Sequence, residues 1–224
     1  MKKTRKYIQY PTYNDPKFNI KITNHPDFVD TKYIANLSNI KSVEEKATES
    51  TTDNAFEISS YQLFIKTFLS LTTPYNSMLL YHGLGTGKTC SAIGASEDIR
   101  NYYKQFNVDN KIYIIASPNV QDNFRLQLFD DSKLIYINGE WDFNGCVGKS
   151  IINEVNPLHI KNFPRDKLIQ HIKSIINKYY VFLGYTQLAR LIKSLIEKDP
   201  INFSELQKRF NNSLCIIDEY HNMR

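Results

Sequence analysis

The sequence predicts an α/β fold: a parallel sheet with helices on both faces, preceded by an irregular N-terminal extension. Three observations carry that expectation. Short continuous apolar runs, KIYIIAS, YYVFLGY and SLCIID among them, have the composition of strands buried on both sides. Amphipathic stretches such as RDKLIQHIKSIINK and TQLARLIKSLIEK fall between these runs, as crossover helices would. The earliest run, SMLLYH, leads into glycines and then a helical pattern, KTCSAIGASEDIRNYYKQF, so strand, loop and helix follow in order.

The elements can be justified along the chain. Residues 1–55 are polar, carry Pro and Asn and show little sustained periodicity, and SVEEKATESTTDN has the composition of a linker or short exposed helix. From Phe56 the domain begins: Ile58, Tyr61, Leu63, Phe64, Phe68 and Leu71 recur at helical spacing, with Ser59 or Ser60 placed to cap the start. After the glycine loop, Ala92, Ala95, Ile99, Tyr102 and Phe106 mark the apolar face of the next helix. KIYIIAS is a strand closed by Pro118, VQDNFRLQLF its following helix, and KLIYI a further strand of the alternation. NGEWDFNGCVGKSIINEVNP interrupts the rhythm with Gly, Asn and Pro and is expected to be a surface insertion.

Composition bounds the function. Hydrophobic residues make up 42% and charged residues 23%, enough for one substantial core. The net charge of +5 admits a polyanionic partner and equally fits an ordinary surface. Three cysteines, Cys90, Cys146 and Cys215, are too few and too scattered for a disulfide framework or a four-ligand zinc site, so a reducing compartment is expected. No run approaches the roughly 20 apolar residues of a membrane helix, and no membrane partner is expected. The expected location is intracellular.

The loop is the strongest chemical signal. Binding a triphosphate takes several backbone N–H groups converging on its oxygens, and glycine allows that approach with positive φ. His82, Gly83, Leu84, Gly85, Thr86, Gly87, Lys88 and Thr89 form the candidate nucleotide-binding segment. Lys88 would place its ammonium on the β and γ phosphates, Thr89 would give its hydroxyl to Mg²⁺, and the helix opening there would direct its positive end at the same anion. GCVGKS at 145–150 imitates this loop, but Cys146 stands where the first loop has Gly85 and no apolar strand leads in, so a solvated loop is expected.

A second signal closes the chain. In SLCIIDEYH two acids, Asp218 and Glu219, emerge as a buried strand leaves the sheet. Ligands of open α/β sheets bind at the carboxyl ends of strands, where a phosphate loop also lies. Asp218 would hold Mg²⁺, directly or through water, and Glu219 would polarise the water that attacks the γ phosphate.

The Asp-Glu-Tyr-His element, together with SYQLF, IIASPNVQDNF and FLGYTQLAR in that order, resembles superfamily 2 (DExH) helicases. His82 before the loop narrows the likeness to the ATPases of large nucleocytoplasmic DNA viruses, a group that includes the small subunit of the poxvirus early transcription factor and viral nucleoside triphosphatase I. The resemblance covers residues 56–224 and implies a helicase ATP-binding (RecA-like) P-loop NTPase domain. It also implies an adenine-reading role for Gln62, coupling of nucleotide and nucleic-acid sites by His221, and contacts to a DNA or RNA backbone from Ser117, Pro118, Asn119, Tyr185 and Thr186.

What the resemblance implies as a whole is a DNA-dependent ATPase, a helicase or translocase, serving early viral transcription with ATP and Mg²⁺. Its partners would include a viral RNA polymerase or transcription-factor subunit, in the host cytoplasm and the virion. The sequence stops at Arg224, just after the Asp-Glu-Tyr-His element, so the family's second RecA-like domain and its arginine finger are not in it. The chain alone is therefore expected to bind ATP-Mg better than it hydrolyses it. Two other readings stand beside this one: a module that binds ATP or a transcription partner without turnover, and another P-loop ATPase such as a packaging motor.

Overall fold

The computed structural model describes residues 9–32, 59–81, 83 and 86–223. Backbone contacts divide the chain into two units, Met1–Ser91 and Ala92–Arg224.

The first unit has an aromatic core. Helix α1 (Phe18–Thr23) leads into a 3₁₀ turn, Pro26–Thr31, and helix α2 spans Ser60–Phe68. Ile22, Phe28, Phe68 and Tyr75 are buried together, with Phe18 and Phe64 packed against them. Phe68 and Tyr75 stack with ring centroids 4.4 Å apart, and the Tyr75 hydroxyl donates to the carbonyl of Pro11 at 2.7 Å. Residues 9–32 of the extension are thus not a loose lead-in: their aromatic side chains complete the core of α2. Ser59 is the cap of α2, while Ile58 lies outside the described residues.

SMLLYH does not form the expected strand. Residues 77–81 have no ladder partner among the described residues, and Leu79 and Tyr81 are 74% and 95% exposed. An apolar run signals a tendency to be buried, but a strand also needs a neighbour to take its N–H and C=O groups.

Helix α3 (Lys88–Gln105) runs on into the second unit. There β1 (Ile112–Ile115), helix α4 (Pro118–Leu128), β4 (Tyr180–Leu183), helix α7 (Tyr185–Lys198), helix α8 (Ser204–Phe210) and β5 (Leu214–Ile217) build a parallel sheet of order β4-β1-β5. All four residues of β1 are buried, which places this strand at the sheet's centre with both faces covered. Tyr113 and Ile115 pack with Leu188, Ile192 and Phe210, so α7 and α8 cover one face. The other face carries Tyr180, whose hydroxyl reaches α3, and Phe182, over whose ring the Arg125 guanidinium of α4 sits at 4.0 Å. The fold is α/β with helices on both faces of a parallel sheet, as the sequence predicts.

KLIYI is corrected. It forms β2 (Leu134–Ile137), which pairs antiparallel with β3 (Glu140–Phe143) in a separate two-stranded ribbon. The reason is local: Asn138 and Gly139 have φ of 52° and 90°, the left-handed pair that closes a two-residue hairpin. The ribbon leads into GCVGKS, so this segment does follow a strand. It then enters a short helix, α5 (Ser150–Val155), whose Ile151 and Ile152 are buried, so the insertion contributes core residues. Helix α6 (Arg165–Tyr179) follows and buries Leu168, Ile172 and Ile176.

The buried face of α3 also differs from the expected one. Ile93, Ser96, Glu97, Arg100 and Tyr103 are buried, whereas Tyr102 and Phe106 are exposed. Polar residues occupy this face because each finds a partner. The Arg100 guanidinium donates to both Glu97 carboxylate oxygens and, at 2.8 Å, to Glu154 of α5. The Tyr180 hydroxyl donates to Glu97 at 2.7 Å and lies 2.8 Å from the Ser96 hydroxyl. Burial works against the Arg100 cation, but the two carboxylates more than offset it and its pKa rises. Among the described residues, Cys215 is a free, exposed cysteine.

Candidate functional site

In the first unit the residues around Gly87 form a compact loop at the start of α3. His82, Leu84 and Gly85 lie outside the described residues. Gly87 has φ +79°, a conformation natural to glycine, and its carbonyl accepts from the Ser91 amide at 3.0 Å and the Ser91 hydroxyl at 3.1 Å. Those bonds start the helix immediately after the loop. The Thr86 hydroxyl and the Lys88 ammonium both donate to the Gly83 carbonyl, at 2.9 and 3.2 Å. Lys88 and Thr89 occupy the first turn of an 18-residue helix, whose N-terminal end carries the positive end of the helix dipole.

Helix α2 braces this loop. The Gln62 carbonyl oxygen accepts from the Ser59 amide at 2.9 Å, which satisfies an end group of α2, and the amide nitrogen faces Gly87. The Tyr61 hydroxyl donates to the Thr86 carbonyl. Gln62 is an expected site residue that the fold brings to the loop. Tyr61 is a neighbour that sequence reasoning placed only on an apolar face; its position beside Gln62 was the available signal.

The second unit gathers its candidates along one edge of the sheet. Ile115, Leu183 and Ile217 are in register as the last residues of β1, β4 and β5. The Ala116 amide then donates to Leu183 and the Asp218 amide to Ile115. Ser117, Pro118 and Asn119 leave β1 here and are exposed at the start of α4, with Pro118 in the first helical turn, where its missing N–H costs nothing. Tyr185 and Thr186 leave β4 beside them, and Asp218 and Glu219 leave β5 on the other side. Expected nucleic-acid residues and the expected catalytic acids therefore share the carboxyl edge of one sheet.

The acid pair has unusual backbone geometry. Glu219 has φ 46° and ψ 50°, a left-handed conformation that costs a non-glycine residue roughly 1–2 kcal/mol. It turns the chain out of β5 into a 3₁₀ turn, Tyr220–Asn222, and brings the His221 Nδ1 to 3.3 Å from a Glu219 carboxylate oxygen. The Tyr185 hydroxyl donates to the Asp218 carbonyl at 2.6 Å. Conformations of this kind persist where surrounding structure holds them.

Among the described residues no group of three or more His, Cys, Asp and Glu side chains could enclose a metal ion. Mg²⁺ keeps waters and phosphate oxygens and takes only one or two protein ligands; the Thr89 hydroxyl of the first unit and the Asp218 carboxylate of the second are each hard oxygen donors of the right type. Among the described residues, no helix is long and apolar enough to cross a membrane.

Comparison with known proteins finds viral helicase-like sequences similar to the chain. It is 27% identical over 220 residues to a protein of Acanthamoeba polyphaga mimivirus named "Putative ATP-dependent RNA helicase", covering 96% of this chain and 31% of that protein. It is 25% identical over 198 residues to a "Putative helicase" of Invertebrate iridescent virus 3, covering 85% of this chain and 18% of that protein. A "Putative helicase" of Frog virus 3 (isolate Goorha) is 23% identical over 165 residues, covering 73% of this chain and 15% of that protein. The chain thus spans less than a third of the length of these curated relatives. No protein-family model and no solved structure matches it.

Proposed function

We propose that the chain is the ATP-binding part of a superfamily 2 nucleic-acid-dependent ATPase, a helicase or translocase of a large DNA virus. The observation that carries this reading is the carboxyl edge of the sheet. There Glu219, held in a left-handed conformation beside His221, lies on the same edge as the exposed Ser117–Asn119 and Thr186. In this reading the loop around Gly87 and the first turn of α3 receive the phosphates, with Lys88 neutralising their charge. Thr89 and Asp218 would hold Mg²⁺, which when bound offsets charge on the β and γ phosphates. Glu219 accepts a proton from the attacking water, and His221 ties its carboxylate to the turn that follows. Gln62 reads the adenine, and His82 belongs to the loop. The viral relatives support the helicase class, and their printed names include an RNA helicase, so RNA stands beside DNA as the nucleic-acid partner.

The test begins with nucleotide binding. Titration of the 224-residue chain with Mg-ATP should give saturable binding that Lys88→Ala removes; binding retained in that variant would sink the proposal. Hydrolysis is then measured on the full-length product of the gene, with and without DNA and RNA. Stimulated turnover supports the motor reading, while binding with no turnover in the full-length protein favours a non-hydrolysing module. Contacts to phosphates predict an affinity for nucleic acid that falls steeply as salt rises. Early viral transcription, with a polymerase or transcription-factor partner in the host cytoplasm, is the role we assign to this motor. Recovery of the protein with viral transcription complexes would support that assignment.

A further inference from the structure

We propose that Tyr185 is a positioning residue for Glu219, acting through the Asp218 carbonyl, a role that rests on the ATPase reading above. The Asp218 amide makes the sheet's last bond on this edge, to Ile115 at 3.0 Å, and the Asp218 carbonyl accepts from Tyr185 at 2.6 Å. That carbonyl belongs to the same planar peptide unit as the Glu219 amide. Holding its oxygen fixes one of the two planes that define the Glu219 φ of 46°, an angle its side chain disfavours. The Tyr185 ring is itself held, half-buried against the cluster of Tyr113, Ile115 and Leu188. Tyr185 is also the first residue of α7, next to the exposed Thr186. A strand of nucleic acid lying on that turn would press on the element that sets Glu219, so Tyr185 links occupancy of the nucleic-acid edge to the geometry of the catalytic acid.

The experiment uses the full-length protein and its Tyr185→Phe variant, which keeps the ring in the core and removes one hydroxyl. ATP turnover is measured against a mixed-sequence single-stranded DNA oligonucleotide and its RNA counterpart. In parallel, NMR follows the Glu219 backbone amide and Cα signals in the 224-residue chain. Positioning predicts that the maximal stimulated rate falls about tenfold, the scale of one lost hydrogen bond to a constrained group. The concentration of oligonucleotide giving half-stimulation should stay within about twofold, and the Glu219 signals should move away from left-handed values. A variant that only raises the half-stimulating concentration would make Tyr185 a simple contact and overturn the proposal, as would unmoved Glu219 signals. A parent protein that never hydrolyses ATP would overturn the reading of the site, an outcome separable from the NMR result on Tyr185 itself.

Discussion

The Gln62 amide nitrogen lies 2.8 Å from where a Cβ on Gly87 would stand, and the Tyr61 hydroxyl lies 3.0 Å from the same point. Helix α2 therefore closes over the loop at the one described loop residue whose φ, +79°, calls for glycine. Gly87→Ala would add backbone strain of roughly 1–2 kcal/mol and crowd both side chains. We expect Mg-ATP affinity to weaken about tenfold or more, read by nucleotide titration. Adding Gln62→Ala should relieve crowding but not backbone strain, so a double-mutant cycle will show partial recovery.

Arg100 is fully buried between Glu97 and Glu154. Arg100→Leu removes the cation paired with Glu97 and leaves both carboxylates with a desolvation cost and less compensation. The expected loss is roughly 3–5 kcal/mol, seen as a lower urea midpoint. Removing the pair's apolar equivalent elsewhere would not do this: Ile172→Val, also in the core, should cost about 1 kcal/mol.

Burial pushes the Tyr103 hydroxyl up to about 12, and that hydroxyl donates to the Asn212 carbonyl at 2.6 Å. A folded-state value above the ordinary 10.0 means the folded state holds its proton more tightly than the unfolded chain does. The contribution is present in full below about pH 10 and is lost as pH rises towards 12. Denaturant unfolding across that window should show falling stability, and Tyr103→Phe should flatten the fall. A variant with the parent's slope would place the effect on another group.

Glu219→Gly should separate stability from activity. Glycine accepts the left-handed backbone, so the unfolding free energy should rise by roughly 0.5–1 kcal/mol after its own entropic cost. On the proposed ATPase reading, in which Glu219 is the proton acceptor, hydrolysis should disappear. Glu219→Gln should likewise lose turnover while keeping Mg-ATP binding. A Gly variant less stable than its parent would show that the Glu219 conformation carries no strain.

Much of the candidate site consists of signals that are legible residue by residue. The sequence by itself determined the chemistry on offer: a glycine turn ahead of Lys88 and Thr89, two acids where SLCII ends, and apolar runs dense enough to bury a parallel strand such as β1. These depend on local rules of backbone freedom, charge and burial, which adjacent residues carry with them. Tertiary structure decided what needed distant partners. KLIYI is the exception on the local side: Asn138-Gly139 reverses the chain and makes it half of a hairpin, a turn signal carried by two adjacent residues. α3 buried Glu97 and Arg100 in place of Tyr102 and Phe106 because Glu154 and Tyr180, far along the chain, supplied their hydrogen bonds. Periodicity registers which residues are apolar, and it is blind to a polar residue whose desolvation is met elsewhere. The left-handed Glu219 and its tie through Tyr185 belong to the same class: a strained angle is written in no single residue and exists only where packed neighbours hold it.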